Sequence, residues 1–342
     1  MVDGPLPEWH VHAACISAWP FHDYAWGAQL QAAKRQFAAF ARAVVAAEGS
    51  ERLLLLCHGP EAQTEARAAI GIEDGRIDYV SMAYGDIWLR DTAPFFVRRG
   101  DGLAALCFDW NGWGDKYLYP HDAELGAALA AHLNLPTERQ PAVLEGGAVD
   151  FDGEGSCLTT DSCLLNINRN PGWDRARYDG LLSEALGIER VIWLPGGLKN
   201  DHTDGHVDNV ARFAAPGAVL HMRPSSEDDP NREALLAIED ALTQARDARG
   251  RALELLPVPS PGAVLGVDGE IMAASYLNFY LGNRTVVVPA FGRDQDEAAR
   301  QAIAEAFPGR QAVLCEAASL LEGGGGLHCI THELPALEER TA

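Results

Sequence analysis

Two apolar rhythms alternate along the chain. Continuous apolar runs predict buried strands over residues 15–19, 52–57, 76–82, 95–98 and 103–108. Apolar residues spaced by three and four predict helices between them. One covers 26–48, where Leu30, Ala33, Phe37, Phe40 and Val44 share a face and Gly49 ends the pattern. Others are expected over 61–70 and 123–133, before a strand near Ala142 that runs into the sequence LEGG. In the second half, 157–160 and 163–167 read as strands about a turn at Asp161 and Ser162. A helix over 174–186 precedes a strand over 190–194, and 206–213 with 218–222 form a hairpin across Pro216 and Gly217. A helix follows over 232–249, with Leu235, Ile238 and Leu242 on one face. Strands over 271–274, 285–288 and 312–315 bracket a last helix over 295–307. Pairs of strands followed by one helix thus recur about five times, with no low-complexity spacer. The expectation is one α/β domain over residues 1–342.

Composition narrows the partners. Hydrophobic residues make up 47% of the 342, enough for a substantial core. The 49 acidic and 27 basic residues give a net charge of −22, which argues against nucleic acid and suits a small cation. Solubility alone also explains such acidity. Seven cysteines without CxxC spacing fit neither a disulfide framework nor a zinc site, and point to a reducing cytoplasm. The opening MVDGPLPEW lacks a basic region followed by an apolar stretch, so no signal peptide is expected. Charges interrupt every apolar segment well short of a membrane span. A homo-oligomer is compatible with the sequence.

Four polar constellations sit in glycine-rich or aromatic turns at strand ends. GGGGLHCITHELP delivers Cys329 after four glycines, a backbone suited to close approach to a ligand; a structural thiol beside a glycine turn is the competing reading. WLRDTAP holds Asp91 beside Trp88 and Arg90, and LEGG places Glu145 before two glycines. DHTDGHVD gathers His202, Asp204, His206 and Asp208; on a strand, His206 and Asp208 would share a face. Those four could ligate a metal, although acidic and His ligands without Cys make a weak zinc signature. A His–Asp pair serving the distant Cys329 is more economical. The surplus of carboxylates suits a planar delocalised cation, whose guanidinium edges two carboxylates can clamp while its carbon stays open to sulfur. Trp88 and Trp113 are candidate walls for such a ligand, or plain core residues.

WLRDTAPFFV, FDWNGWGDKY, LEGGAVDFDGEGSCLTTDSCLLNINRNP, GHVDNVARF, SYLNFYLGNRTVVVP and GGGGLHCITHELP, in this order, resemble the agmatine deiminase family, which includes the bacterial-type peptidylarginine deiminases. The resemblance runs from LPEW near the start to HCITHELP near the end. It implies a five-bladed pseudo-symmetric α/β propeller of ββαβ units around a central site. It also implies Cys329 as nucleophile, His206 as acid and base, Asp91 and Asp208 as guanidinium clamps, and Glu145 beside the histidine. The implied reaction is hydrolytic deimination of agmatine to N-carbamoylputrescine and ammonia, through an amidino-cysteine and with no metal or organic cofactor. The family mostly carries Asn where this chain has Asp204. That departure, with the loop over 195–204, leaves the substrate tail open among agmatine, free arginine, peptidyl arginine and another guanidino compound. Amidino transfer to an amine and a binding protein without turnover are the remaining readings.

Overall fold

Five separate sheets of three or four strands carry the fold in a computed structural model that describes residues 4–337. Each sheet is wired alike: an antiparallel pair, then a crossover to a parallel third strand. Phe95–Arg99 and Gly102–Asp109 pair antiparallel, and the helix Asp122–His132 returns the chain to Thr137–Val143. Val149–Phe151 and Ser156–Thr160 follow, with the helix Arg175–Leu186 leading to Arg190–Leu194. Ala211–Ala215, Ala218–Arg223, the helix Arg232–Gln244 and Glu254–Pro259 form the third unit. Tyr280–Leu281, Thr285–Ala290, the helix Asp296–Ala306 and Gln311–Glu316 form the fourth. The fifth joins the two ends of the chain. Thr331–Pro335 lies antiparallel to His12–Ala18, and the helix Leu30–Val44 crosses to Arg52–Cys57, beside which Ile77–Ser81 adds a further parallel strand. Parallel neighbours demand such long crossovers, which is why the apolar rhythm switches from strand to helix five times.

The helices are held by local chemistry and packing. The Asp174 carboxylate caps Arg175–Leu186 by accepting from the Arg177 N–H, and Gly187 ends that helix in the left-handed region (φ 69°). Leu30–Val44 buries Ala33, Phe37, Phe40, Ala41 and Val44. Phe37 meets Trp19 edge-on at 5.5 Å.

Several short segments depart from the sequence reading. Residues 163–167 are not a strand: the Thr160 hydroxyl accepts from the Cys163 N–H and starts the helical turn Asp161–Leu164. Residues 206–213 are not one strand either, because Val207–Asn209 is a 3₁₀ turn and pairing begins at Ala211. The helix expected to reach 249 stops at Gln244, where Ala245 is extended and the Asp247 carboxylate accepts from the N–H groups of Arg249 and Arg251. The strand expected over 271–274 is a lone bridge between Leu265 and Ile271. The helix expected from 26 breaks at Gly27 (φ 46°) and restarts at Leu30. The first three residues of MVDGPLPEW lie outside the described residues.

Phe37 is wholly buried, so Phe37→Ala is expected to cost about 3–5 kcal/mol in denaturant unfolding. A loss under about 1 kcal/mol would contradict this packing.

Candidate active site

The segment leading into the first strand of each sheet brings a buried polar side chain to one place. Asp91 precedes Phe95–Arg99, Glu145 precedes Val149–Phe151, and His206 and Asp208 precede Ala211–Ala215. Asn278 precedes Tyr280–Leu281, and Cys329 precedes Thr331–Pro335. These segments are turns rather than strand, so a side chain can point along the sheet end instead of across it.

Contacts link the group into a ring. The Asp91 Oδ1 accepts from the Gly147 N–H at 2.9 Å and lies 3.8 Å from His206 Nδ1. Oδ2 of Asp91 accepts from the indole N–H of Trp113 at 2.8 Å. One oxygen of Glu145, a His206 ring nitrogen and the Cys163 sulfur lie within 4.8 Å of one another. Asp208 Oδ2 stands 3.9 Å from Cys329 Sγ and 2.7 Å from His328 Nδ1. Asn278 ties the far side together: its carbonyl accepts from the His328 N–H at 2.9 Å, and its amide nitrogen lies 3.1 Å from Cys329 Sγ. A Cβ on Gly326 would sit 2.4 Å from the Asn278 Oδ1, so the glycine run serves close approach. Of Gly323 to Gly326, only Gly324 takes a positive φ, 115°.

A cavity of about 150 Å³ opens onto this ring. Trp88, Asp91, Trp113 and Cys329 line it, together with the carboxylates of Asp86 and Glu322. Among the described residues no lysine or arginine does. His206, Glu145 and Asp208 are buried behind its floor.

Electrostatics set the resting state. Burial, then the carboxylates of Asp208 and Asp91, push the Cys329 thiol well above its usual range. His206 moves the opposite way to what burial alone would impose: Asp91, Cys163 and Glu145 hold its imidazolium well above the ordinary histidine value. Asp91 is raised by burial and by Glu145 and Asp208, with His206 opposing. Burial would raise Asp208 too, but the His328 hydrogen bond, with His328, His206 and Arg212 as charges, brings it below the usual range.

The sequence profile of the Porphyromonas-type peptidyl-arginine deiminase family matches residues 5–335. An agmatine deiminase of Stutzerimonas stutzeri is 37% identical, the match covering 96% of this chain and 94% of that protein. The chain belongs to that family. Among solved structures, the agmatine deiminase of Enterococcus faecalis superposes with a TM-score of 0.91 at 26% identity, over 98% of this chain and 96% of that one. A Cys-to-Ser variant of the C. jejuni agmatine deiminase with substrate bound superposes with a TM-score of 0.89 at 25% identity, over 99% and 98%.

In this member of the family, further residues that the sequence reading assigned no role support the ring. Arg169, itself buried, donates from Nε to Glu145 Oε1 at 2.5 Å and from Nη1 to Asp204 Oδ2 at 2.6 Å. Asp204 also accepts from Lys116 at 2.9 Å and from Asn168 at 3.0 Å. Its φ of 66° is the left-handed conformation that Asn and Asp tolerate, and it does not line the cavity. From its loop, His202 and Thr203 do. The set His202, Asp204, His206 and Asp208 is not gathered as metal ligands: Asp204 pairs with Arg169 and Lys116, Asp208 with His328, and His202 Nδ1 with the Tyr117 hydroxyl. Trp113 also holds a left-handed backbone (φ 55°), strain that fits an indole aimed at Asp91. Among the described residues no helix is long and apolar enough to cross a membrane.

Gly147 packs directly against the ring, since a Cβ there would sit 2.5 Å from His206 Nδ1 and 3.1 Å from Asp91 Oδ1. Gly147→Ala is expected to lower kcat/KM by about tenfold or more, a displacement effect. Wild-type kinetics in that variant would contradict this placement of His206.

Proposed function

We propose that the chain is a cysteine-dependent guanidine iminohydrolase whose substrate is agmatine. The observation that carries this reading is a thiol flanked by two buried carboxylates, Asp91 and Asp208, at the base of an acid-lined cavity. A guanidinium suits such a pair, which can hold it by charge-assisted hydrogen bonds. The cavity walls favour a cationic tail. Asp86, pushed up to about 7 by burial and by Asp122, and Glu322 suit an ammonium, whereas an α-carboxylate would find no lysine or arginine among the described residues that line the cavity.

The buried thiol resists ionisation until a cation arrives between Asp91 and Asp208. With the guanidinium in place, Cys329 releases its proton to solvent through the cavity, and the thiolate attacks the guanidinium carbon. His206, cationic at rest, passes a proton to the departing nitrogen, which leaves as ammonia. The carbon stays bound to sulfur as an amidino-cysteine. His206, now neutral, takes a proton from water. The hydroxide adds to that carbon, the C–S bond breaks, and the ureido product departs as the thiol is restored. Glu145, its Oε1 held by Arg169, stabilises the His206 cation and accepts from a substrate N–H through Oε2, which has no partner among the described residues. Trp88 and Trp113 form apolar walls, Trp113 also fixing Asp91. Asn278 steers the sulfur. No metal or organic cofactor takes part. The five like-wired sheets support a five-bladed propeller of ββαβ units within one domain over 1–342, and the cysteine usage supports a cytoplasmic protein.

Ammonia release should be seen with agmatine in preference to arginine, a blocked arginyl peptide or guanidino acids, and should vanish in Cys329→Ala. Release from arginine alone would move the substrate; release from none would sink the reading. Because a cation favours the thiolate, an amidinium alkylating reagent such as chloroacetamidine should inactivate the enzyme much faster at neutral pH than neutral iodoacetamide. The raised His206 keeps its proton past the ordinary histidine value, so kcat should fall on the alkaline side of that value, as His206 deprotonates. A fall at the ordinary histidine value would contradict its placement beside Asp91.

A further inference from the structure

The N-terminal segment carrying LPEW reaches the rear of the site. Glu8, mostly buried, places Oε1 2.7 Å from His328 Nε2 and 3.2 Å from Arg90 Nη1. Its Oε2 pairs with Arg212 Nη2. Arg90 comes from the lead-in to the first sheet, Arg212 from the first strand of the third, and His328 from the lead-in to the fifth. Both arginines are otherwise committed: Arg90 to Glu333 at 2.8 Å, and Arg212 to the carbonyls of Leu277 and Phe279 at 3.0 and 2.6 Å. Glu8 therefore cannot swing away without leaving buried guanidinium groups short of an acceptor.

The other face of the same imidazole is what matters for the site. His328 Nδ1 meets Asp208 Oδ2 at 2.7 Å, so one rigid ring spans from the N-terminal carboxylate to the carboxylate beside Cys329. Asp208 Oδ1, buried, has no hydrogen-bond partner among the described residues. Asn278 contacts the same Oδ2 at 3.3 Å. One oxygen is thus clamped from behind while the other stays free for a ligand. We propose that Glu8 is a positioning residue for Asp208, acting through His328, so that the N-terminal segment is a working part of the guanidinium site. The inference rests on Asp208 binding the guanidinium, as set out above. Burial would raise the Glu8 carboxyl, but Arg212, His328 and Arg90 hold it well below the usual range, which keeps it an acceptor for His328 near neutral pH.

Loss of this clamp should weaken guanidinium binding more than it slows the chemistry. Glu8→Gln is expected to raise KM for agmatine about tenfold, the scale of one charged hydrogen bond, with kcat within about threefold of wild type. His328→Asn, whose amide can still reach Asp208 but not Glu8, should do the same. The double variant should be no worse than either single change, because both cut one link. KM values that multiply in the double variant would overturn the inference. So would a Glu8→Gln protein with a lowered Tm but wild-type KM, since that is a role in stability alone. Should Glu8→Gln fail to fold, Glu8→Asp keeps the charge between the arginines while withdrawing from His328, and should raise KM likewise; a wild-type KM there overturns the inference. A wild type inert toward agmatine overturns the functional reading as well, and is told apart by appearing in the control.

Discussion

The cost of sealing carboxylates away from water organises this molecule. An ionised carboxylate taken out of solvent is tolerated only with donors aimed at it. Asp91 is met by the Gly147 N–H and the Trp113 indole, Glu145 by Arg169, and Asp208 by His328 and Asn278. Each donor comes from a different stretch of chain than its acceptor. The site therefore exists only when the five sheets are assembled around it. Two oxygens are left over, Asp208 Oδ1 and Glu145 Oε2, both buried and without partners among the described residues. In the proposed reaction they are reserved for the substrate's own N–H groups, so the incomplete satisfaction of the empty site becomes affinity for a guanidinium.

The same surplus of negative charge restrains the thiol. Cys329 lies among groups that oppose its ionisation, and His206 among groups that favour its cation. In the proposed reaction, a resting site with a protonated sulfur and a charged imidazole stays inert toward neutral electrophiles and is switched on by the charge of its substrate. Reactivity and selectivity thus share one electrostatic origin.

Much of this was legible in the sequence, and the failures are instructive. Asp91, Glu145, Asp208 and Cys329 stand in glycine-bearing or aromatic turns at the ends of apolar runs, and the folded chain brings them together. The five-fold alternation of strand pairs and helices matched the five sheets, whereas Gly4–Pro5 and Tyr280–Leu281, two residues each, are too short for any periodicity to register. Glu254–Pro259 was hidden by its prolines, which an edge strand accommodates. His206 and Asp208 were paired by strand alternation, yet they converge through a 3₁₀ turn, the right neighbours for a different geometric reason. Asn278 sits inside SYLNFYLGN and looks like strand filler, while Glu8 and Arg169 look like surface charges. Their partners lie far away in sequence, and only the fold reveals that each is buried against a charge or a sulfur.

The central claim is that Cys329 becomes covalently bonded to the guanidinium carbon. Rapid acid quenching of enzyme during turnover of agmatine, followed by mass spectrometry of the intact protein and its peptides, tests that bond itself. The account predicts a transient gain equal to agmatine less ammonia, confined to the peptide carrying Cys329. A turning-over enzyme with the unmodified mass throughout, or a gain on another residue, would contradict it.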